Sequence, residues 1–396
     1  MTSRLLTRRF AVAVANIAIL ATVAGACGND ATPGRSGASS GSPATASGAG
    51  GSTRPATSAD PTSDLAAAAE REGGLTTMGL SHDWCNYGEV LKTFAARYAI
   101  SINELNPDAT FGDQVAAIKA TKGSPGPDAP DVIDVGLAFG VQAKNVGLLA
   151  PYKVSAWDSI PAAAKDPAGF WYGDYYGVLA FETNKTAGVA PPTAWADLLA
   201  ASHAHQVALA GDPRLSAQAI QTVYAAALAN GGTLDNAKPG LDFFAKVKKA
   251  GNLLLTIATP DTIDQGSTPL TIRWSYSALA HRDRAAGNPD IDVTVPPTGR
   301  LAGAFVQAIS AHAPHPNAAR LWMEFLYSDE VQNLWLKGGC NPIRFDDLVA
   351  RDAIPPDFQA NLPDVGKPVF PTLDQLTRAS TLISQSWNTI VGADIK

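Results

Sequence analysis

Gly74-Leu-Thr-Thr-Met-Gly-Leu80, Ser81-His-Asp-Trp-Cys-Asn-Tyr-Gly88 and Glu89-Val-Leu-Lys-Thr-Phe-Ala-Ala-Arg-Tyr98 follow one another without a break. The first segment reads as a short strand. The third sets Val90, Leu91, Phe94 and Tyr98 on one face at helical spacing. Between them lies a connection unusually dense in aromatic and hydrogen-bonding groups. A strand that passes through a loop into an amphipathic helix is a building unit of α/β proteins, and the same rhythm continues downstream. Asp131–Val135 is a second short apolar strand, and Ala180 and Phe181 belong to a third. Ser216 caps a helix whose apolar face holds Ile220, Val223, Tyr224 and Ala227. Leu270, Ile272, Trp274 and Tyr276 alternate with Thr271, Arg273 and Ser275, as a strand would. Asn317 is the expected cap of a helix over Ala318–Tyr327. This alternation predicts α/β lobes, each with its own sheet, and no internal repeat interrupts it.

Upstream of Asp64 the chain changes character. Arg4, Arg8 and Arg9 form a basic start, Phe10–Val23 is an apolar run, and Ala24-Gly25-Ala26 leads to Cys27. That order is a secretory signal over residues 1–26, and the run is short for a membrane span. The Arg8-Arg9 pair leaves twin-arginine export open, although Phe10 sits one place too early for it. From residue 27 to 62 the chain is mostly Gly, Ser, Ala, Thr and Pro, too poor in large apolar groups to offset its ordering entropy, so it is a tether. Gly37-Ala-Ser39-Ser-Gly41 matches the hydrolase pattern G-x-S-x-G only formally. A nucleophile elbow needs a strand before it and a helix after it, and the tether has neither.

The whole chain has 396 residues, 46% of them apolar, and a net charge of −6. That is enough chain for two domains with sizeable cores. No basic run follows the first residues, which argues against nucleic acid or an anionic membrane surface as the main partner. His203 and His205, and His312 and His315, lack neighbouring Cys, Asp or Glu that would complete a zinc set. No Ser–His or Cys–His arrangement in a strand–turn–helix context supports a secreted hydrolase.

Several stretches carry a family resemblance when taken in order. They are Asp131-Val-Ile-Asp134; Gly147-Leu-Leu-Ala-Pro-Tyr152; Trp171-Tyr-Gly173 leading to Ala180-Phe-Glu-Thr-Asn184; Thr193-Ala-Trp195-Ala-Asp197-Leu-Leu199; Ala313-Pro-His-Pro-Asn317-Ala-Ala319 with Trp322–Leu326; and Gly339–Arg344. Over roughly 330 residues the chain resembles the extracellular solute-binding proteins of ABC importers, in the branch that includes polyamine, ferric-iron and maltose binders. The resemblance implies a two-lobed type II periplasmic-binding-protein fold, a clamp whose chain crosses between lobes near Gly177–Asn184 and again near Val295–Gly303. Lobe one is then expected over 63–178 and 303–342, and lobe two over 183–298 with C-terminal helices over 345–396. It also implies a monomeric receptor without enzymatic activity or cofactor, which hands its ligand to importer permease subunits. A lipid-tethered sensor that kept the clamp but lost the importer is the rival reading.

Ala24-Gly-Ala-Cys27 resembles a bacterial lipobox, with Ala24 in place of a bulkier aliphatic residue. Cys27 is then the lipidated first residue, anchoring an exported protein to the outer face of the cell membrane. Cys85 and Cys340 fall in the same expected lobe and in an oxidising compartment, so a disulfide between them is favoured over two buried thiols.

For the ligand, Trp84 and Tyr87 resemble the opening loop of spermidine- and putrescine-binding proteins, where aromatics line an amine site. The same resemblance places a ligand carboxylate near Asp212 and a second aromatic position at Trp274-Ser-Tyr276. Asn86 and Ser275 are expected to orient the ligand by hydrogen bonds. A polyamine is therefore the preferred ligand, although Ser275 and Ser277 stand where polyamine binders usually carry another acid. Ferric iron is the first alternative, with His82 as a candidate ligand. Iron binders, however, place two consecutive tyrosines at this strand end, and the Tyr175-Tyr176 pair lies at the first crossing. A phosphonate or other anion is the second, through Arg214, Arg273 and Arg344.

Overall fold

The computed structural model describes residues 61–124, 126–359 and 362–396. The expected export signal, Cys27 and the tether up to residue 60 lie outside the described residues. The folded chain opens with α1 (Pro61–Glu72), β1 (Gly74–Met78), α2 (Tyr87–Tyr98), β2 (Ser101–Leu105), α3 (Phe111–Ala120), β3 (Val132–Gly136), α4 (Leu137–Asn145) and β4 (Leu149–Ala150). β1 pairs in parallel with β2 and with β3, the arrangement that strand–helix–strand units produce. Val90, Leu91 and Phe94 of α2 are buried, as their spacing requires.

The next strand, β5 (Tyr172–Asn184), has 13 residues, and all of them are buried. It is followed by β6 (Val207–Leu209), α5 (Ala217–Ala229), α6 (Lys238–Lys249), β7 (Leu253–Ile257), α7 (Pro260–Asp264), β8 (Leu270–Trp274), α8 (Ser275–Ala285) and β9 (Ile291–Thr294). β10 (Ala302–Ser310), α9 (Pro316–Leu326), α10 (Asp329–Lys337), β11 (Asn341–Pro342), α11 (Phe345–Ala350), α12 (Pro356–Gln359) and α13 (Leu373–Ile390) complete the chain.

β5 explains the architecture. Its first half, up to Val178, pairs antiparallel with β10 and β11, so it closes the sheet β2-β1-β3-β10-β5. From Leu179 onward it pairs with β8 and β9 and opens the sheet β5-β8-β6-β7. The second passage between the two ladders runs from Thr294 at the end of β9 to Ala302 at the start of β10. One long buried strand thus belongs to two sheets, each covered by its own helices.

Three local expectations differ from the structure. The alternating run at 270–276 ends as a strand at Trp274, and Ser275 begins α8. Ser275 Oγ accepts from Val178 N at 3.4 Å, so its hydroxyl serves the β5 backbone rather than the next pleat. The helix expected from an Asn317 cap begins instead with Pro316, whose preset φ and missing N–H suit a first helical position. Its free N–H groups are met from outside: Glu72 accepts from Asn317 N at 2.9 Å and from Ala318 N at 2.8 Å. Finally, residues 345–359 were expected in lobe two with the C-terminal helices, but they stay beside α10. There Arg351 bonds Asp329 at 2.7 Å and Asn333 donates to Ala353 O at 2.9 Å. α13 lies on α5 and α6, with Trp387 buried against Phe244.

Candidate ligand-binding cleft

The connection between β1 and α2 is held from both ends. Trp84 N donates to Ser81 O at 3.0 Å, and Tyr87 N to Trp84 O at 2.9 Å. Cys85 (φ 48°) and Asn86 (φ 69°) both occupy the left-handed region, which Asn tolerates but which costs a residue such as Cys roughly 1–2 kcal/mol. Backbone in such a region persists where its surroundings over-determine it. Here Cys85 is disulfide-bonded to Cys340, with Cα atoms 5.5 Å apart, as favoured from the sequence. A Cβ on Gly338 would lie 2.5 Å from the Cys85 carbonyl carbon, so only glycine permits that approach. Asn86 Nδ2 donates to Glu89 at 2.9 Å and to Leu334 O at 3.4 Å. The result is a stiff loop that presents Trp84 at the cleft.

Opposite it, the end of β8 and the start of α8 present Trp274 and Tyr276. Trp84 and Tyr276 have ring centroids 6.2 Å apart at an interplanar angle of 24°, and Tyr276 and Trp274 are 6.3 Å apart at 11°. Phe305 of β10 meets the edge of Trp84 at 5.0 Å. Space for these rings comes from bare backbone on both crossing strands. A Cβ on Gly303 would lie 2.3 Å from Trp274 Cη2, and one on Gly177 would lie 2.5 Å from Tyr276 Cε1.

These rings surround a cavity of about 490 Å³, within the range of small-molecule sites. Ser216, Ala217 and Gln218 at the start of α5 close another side, and Asp83 stands on the wall next to Trp84. Asp83 is exposed, and it is the one carboxylate among the described lining residues; no Lys, Arg or His lines the cavity with it. A second cavity of about 260 Å³ shares Trp274 as part of its wall.

The structure therefore brings Trp84, Trp274 and Tyr276 to one cavity. The other expected contact residues lie elsewhere. Tyr87 is buried inside the first lobe, where its hydroxyl donates to Asp134 at 2.7 Å and lies 3.1 Å from Asp174. Asn86 is occupied with Leu334 and Glu89, and Ser275 with Val178. Asp212 is gripped by Arg214, whose Nε is 2.9 Å from both carboxylate oxygens. Burial alone would raise the Asp212 carboxyl, but hydrogen bonds from Arg214 outweigh it and hold it below the usual range.

The groups weighed for iron or an anion are likewise engaged. Arg214 also bonds Asp394, Arg273 bonds the buried Glu182 at 3.2 Å, and Arg344 bonds Asp347 and Ser159. His82 bonds Glu104 at 2.6 Å. Tyr175 donates to Asp134 at 2.8 Å, and Tyr176 packs on Phe370. Among the described residues, no three His, Cys, Asp or Glu side chains converge as a metal site.

Sequence reasoning missed Phe111, Phe305, Gln218 and Asp83. Phe111 had a legible signal: Thr110 and Asp113 form a reciprocal capping box, the motif that marks a helix start and sets Phe111 in the first turn.

Residues 128–372 match the bacterial extracellular solute-binding protein family. Among solved structures, the chain is similar to the spermidine/putrescine ABC transporter substrate-binding protein PotD of Streptococcus pneumoniae, solved with calcium and HEPES, at 16% identity and a TM-score of 0.62 over 80% of this chain and 99% of that one. It is similar to iron-bound HitA of Pseudomonas aeruginosa at 17% identity and a TM-score of 0.57 over 81% and 99%. AfuA of Actinobacillus pleuropneumoniae, solved with fructose-6-phosphate, aligns at 21% identity and a TM-score of 0.54 over 81% and 99%. At these identities the likeness shows the two-lobed binding-protein fold, and each ligand belongs to the protein that holds it. No curated protein sequence matches the chain. Because the family match covers more than half of the sequence and includes both crossings between the sheets, the chain belongs to the bacterial extracellular solute-binding proteins, which are receptors rather than enzymes.

Proposed function

We infer that this chain is the receptor subunit of an ABC importer and that its cleft takes a small organic amine. The observation that carries the ligand class is the wall itself: five aromatic side chains, Trp84, Phe111, Trp274, Tyr276 and Phe305, with the Asp83 carboxylate beside them and no basic side chain in the lining. Cations over such faces gain about 0.5–2 kcal/mol per ring, and Asp83 supplies one counter-charge. With Asp212 committed to Arg214, a second carboxylate for the far end of a diamine is missing from the wall. The geometry therefore favours an amine with one cationic centre over putrescine or spermidine. Closure is coupled to binding because Trp84 and Asp83 come from one lobe and Trp274 and Tyr276 from the other.

Export through residues 1–26 and a lipid on Cys27 complete this reading, and the extracellular character of the family supports the first. Among the described residues no helix is long and apolar enough to cross a membrane. An anion is the second reading, because the N-terminal residues of α5 face the same cavity and helix N-termini favour negative charge.

Calorimetric titration of the full chain with butylamine, putrescine, spermidine, phosphate and ferric citrate separates these readings. The amine reading expects butylamine to bind, and Asp83→Asn to weaken it about tenfold. Binding of phosphate or ferric citrate with no amine bound would overturn the ligand class and leave the receptor reading standing.

A further inference from the structure

We propose that the cleft is bipartite, with a second chamber behind Trp274 that receives an apolar arm of the same ligand. The head of that ligand is assigned by the organic-amine reading above, on which this step rests. The two cavities are continuous in their walls: Phe111, Ala217, Gln218, Trp274 and Phe305 line both. We take Trp274 as the partition because it lines both cavities, whereas Tyr276 and Ser277 line only the first and Gly303 only the second. Its ring lies against Gly303, where any Cβ would collide with it.

The chemistry changes across that partition. No charged side chain is among the described residues that line the second chamber. Leu137, Phe139, Ala163 and Val306 come from the first lobe, and Phe370 and Leu376 from the C-terminal segment that ends on α5 and α6. The polar side chains present are Gln218, Gln221 and Ser380. A space of about 260 Å³ exceeds several water volumes of about 30 Å³ each, so it holds a short run of methylenes. Apolar walls give water few partners and reward a group that replaces it. A second ammonium has no counter-charge there. The ligand class is therefore a monoamine or other single-headed cation with an apolar tail.

The test is a titration of the full chain with n-alkylamines from ethylamine to octylamine, beside the matching n-alkanols. Affinity for the amines is expected to rise about three- to fourfold per added methylene and then level off. Ala163→Phe, at an exposed position on the chamber wall, should bring the plateau to shorter chains. Leu376→Trp should do the same from the opposite side and guards against a folding defect in the first variant. Amine binding that is independent of chain length overturns the second chamber and leaves the amine reading intact. A length dependence that neither variant changes also overturns it, because the tail then lies elsewhere. If alkanols match the amines at every length and show the shifted plateau, the chamber stands and the amine reading falls. If neither series binds, both fall.

Discussion

Arg214 Nε lies 2.9 Å from each carboxylate oxygen of Asp212, two residues before it, and the same guanidinium reaches Asp394 at 2.9 Å and Asn388 at 3.2 Å. The pair thus ties the entry of α5 to the end of the chain, next to α13. Asp212→Asn is expected to lower the thermal midpoint by roughly 2–4 °C while changing amine affinity less than threefold. Thermal unfolding and calorimetry on the same preparation check both halves. An unchanged midpoint with a tenfold loss of affinity would return Asp212 to the ligand.

Gly303 and Trp274 make a second relation that a single methyl group can test. Adding a Cβ at 303 would place it 2.3 Å from Trp274 Cη2, well inside contact distance, so the indole must move. Gly303→Ala is therefore expected to weaken amine binding about ten- to a hundredfold. Trp274→Ala, which removes the ring outright, is expected to weaken it by a similar factor. Gly303 does not occupy the left-handed region, so the effect is steric rather than conformational. Intrinsic tryptophan fluorescence should change with Gly303→Ala. Wild-type affinity and fluorescence in that variant would show that the indole does not need its present seat.

What the sequence disclosed was backbone pattern and residue character rather than side-chain pairing. The strand–loop–helix at 74–98, the capped helix after Ser216 and the aromatic character of Trp84, Trp274 and Tyr276 are local and were legible. Side-chain partners were not, the Cys85–Cys340 bridge apart. Tyr87 read as a cleft aromatic because its loop neighbours are, yet its hydroxyl is claimed by Asp134 and Asp174, 47 and 87 residues away. Asp212 looked available because nothing in its spacing shows how Arg214 folds back. Trp274-Ser-Tyr276 kept strand alternation to the end, and only the bond between Val178 N and Ser275 Oγ reveals the turn into α8. Gly177 and Gly303 marked the expected crossings, but that they make room for two rings depends on side chains that arrive from another sheet.

The Cys85–Cys340 disulfide spans a separation of 255 residues, and loop-entropy estimates put its contribution at up to about 5 kcal/mol. It also holds the residue directly after Trp84. Reduction, or Cys340→Ser, is expected to lower the thermal midpoint by up to about 7 °C on that scale and to weaken amine binding. In unfolded, unreduced protein, thiol titration should find no reactive thiol beyond Cys27. Two further thiols would remove the bridge, and unaltered ligand affinity after reduction would remove its role in holding Trp84.

Beneath the cleft the first lobe holds two buried acids, Asp134 and Asp174, joined through Tyr87. Tyr87 and Tyr175 donate to Asp134 Oδ2 at 2.7 and 2.8 Å, and Gln307 Nε2 donates to Asp174 Oδ2 at 3.1 Å. Burial pushes the Asp134 carboxyl up to about 7, against hydrogen bonds from the two tyrosines that lower it. Asp174 is raised as well, first by burial and then by the charge of Asp134. Two carboxyls in one dry site do not both ionise readily, so the folded protein retains protons that the unfolded chain releases near pH 4. With more protons bound in the native state, stability from this site is present at low pH and declines as pH rises from about 4 through about 7. Carboxylates held low by partners, such as Asp212 and Asp329, act in the opposite sense below that window and set the acid limb. Asp134→Asn keeps an acceptor for both tyrosines and removes one titration. Its thermal midpoint is expected to fall less steeply than that of wild type between pH 5 and about 7.5, a range chosen to bracket the raised Asp134 carboxyl. Parallel midpoint–pH curves for the two proteins would show that the pair ionises together and that this site stores no proton.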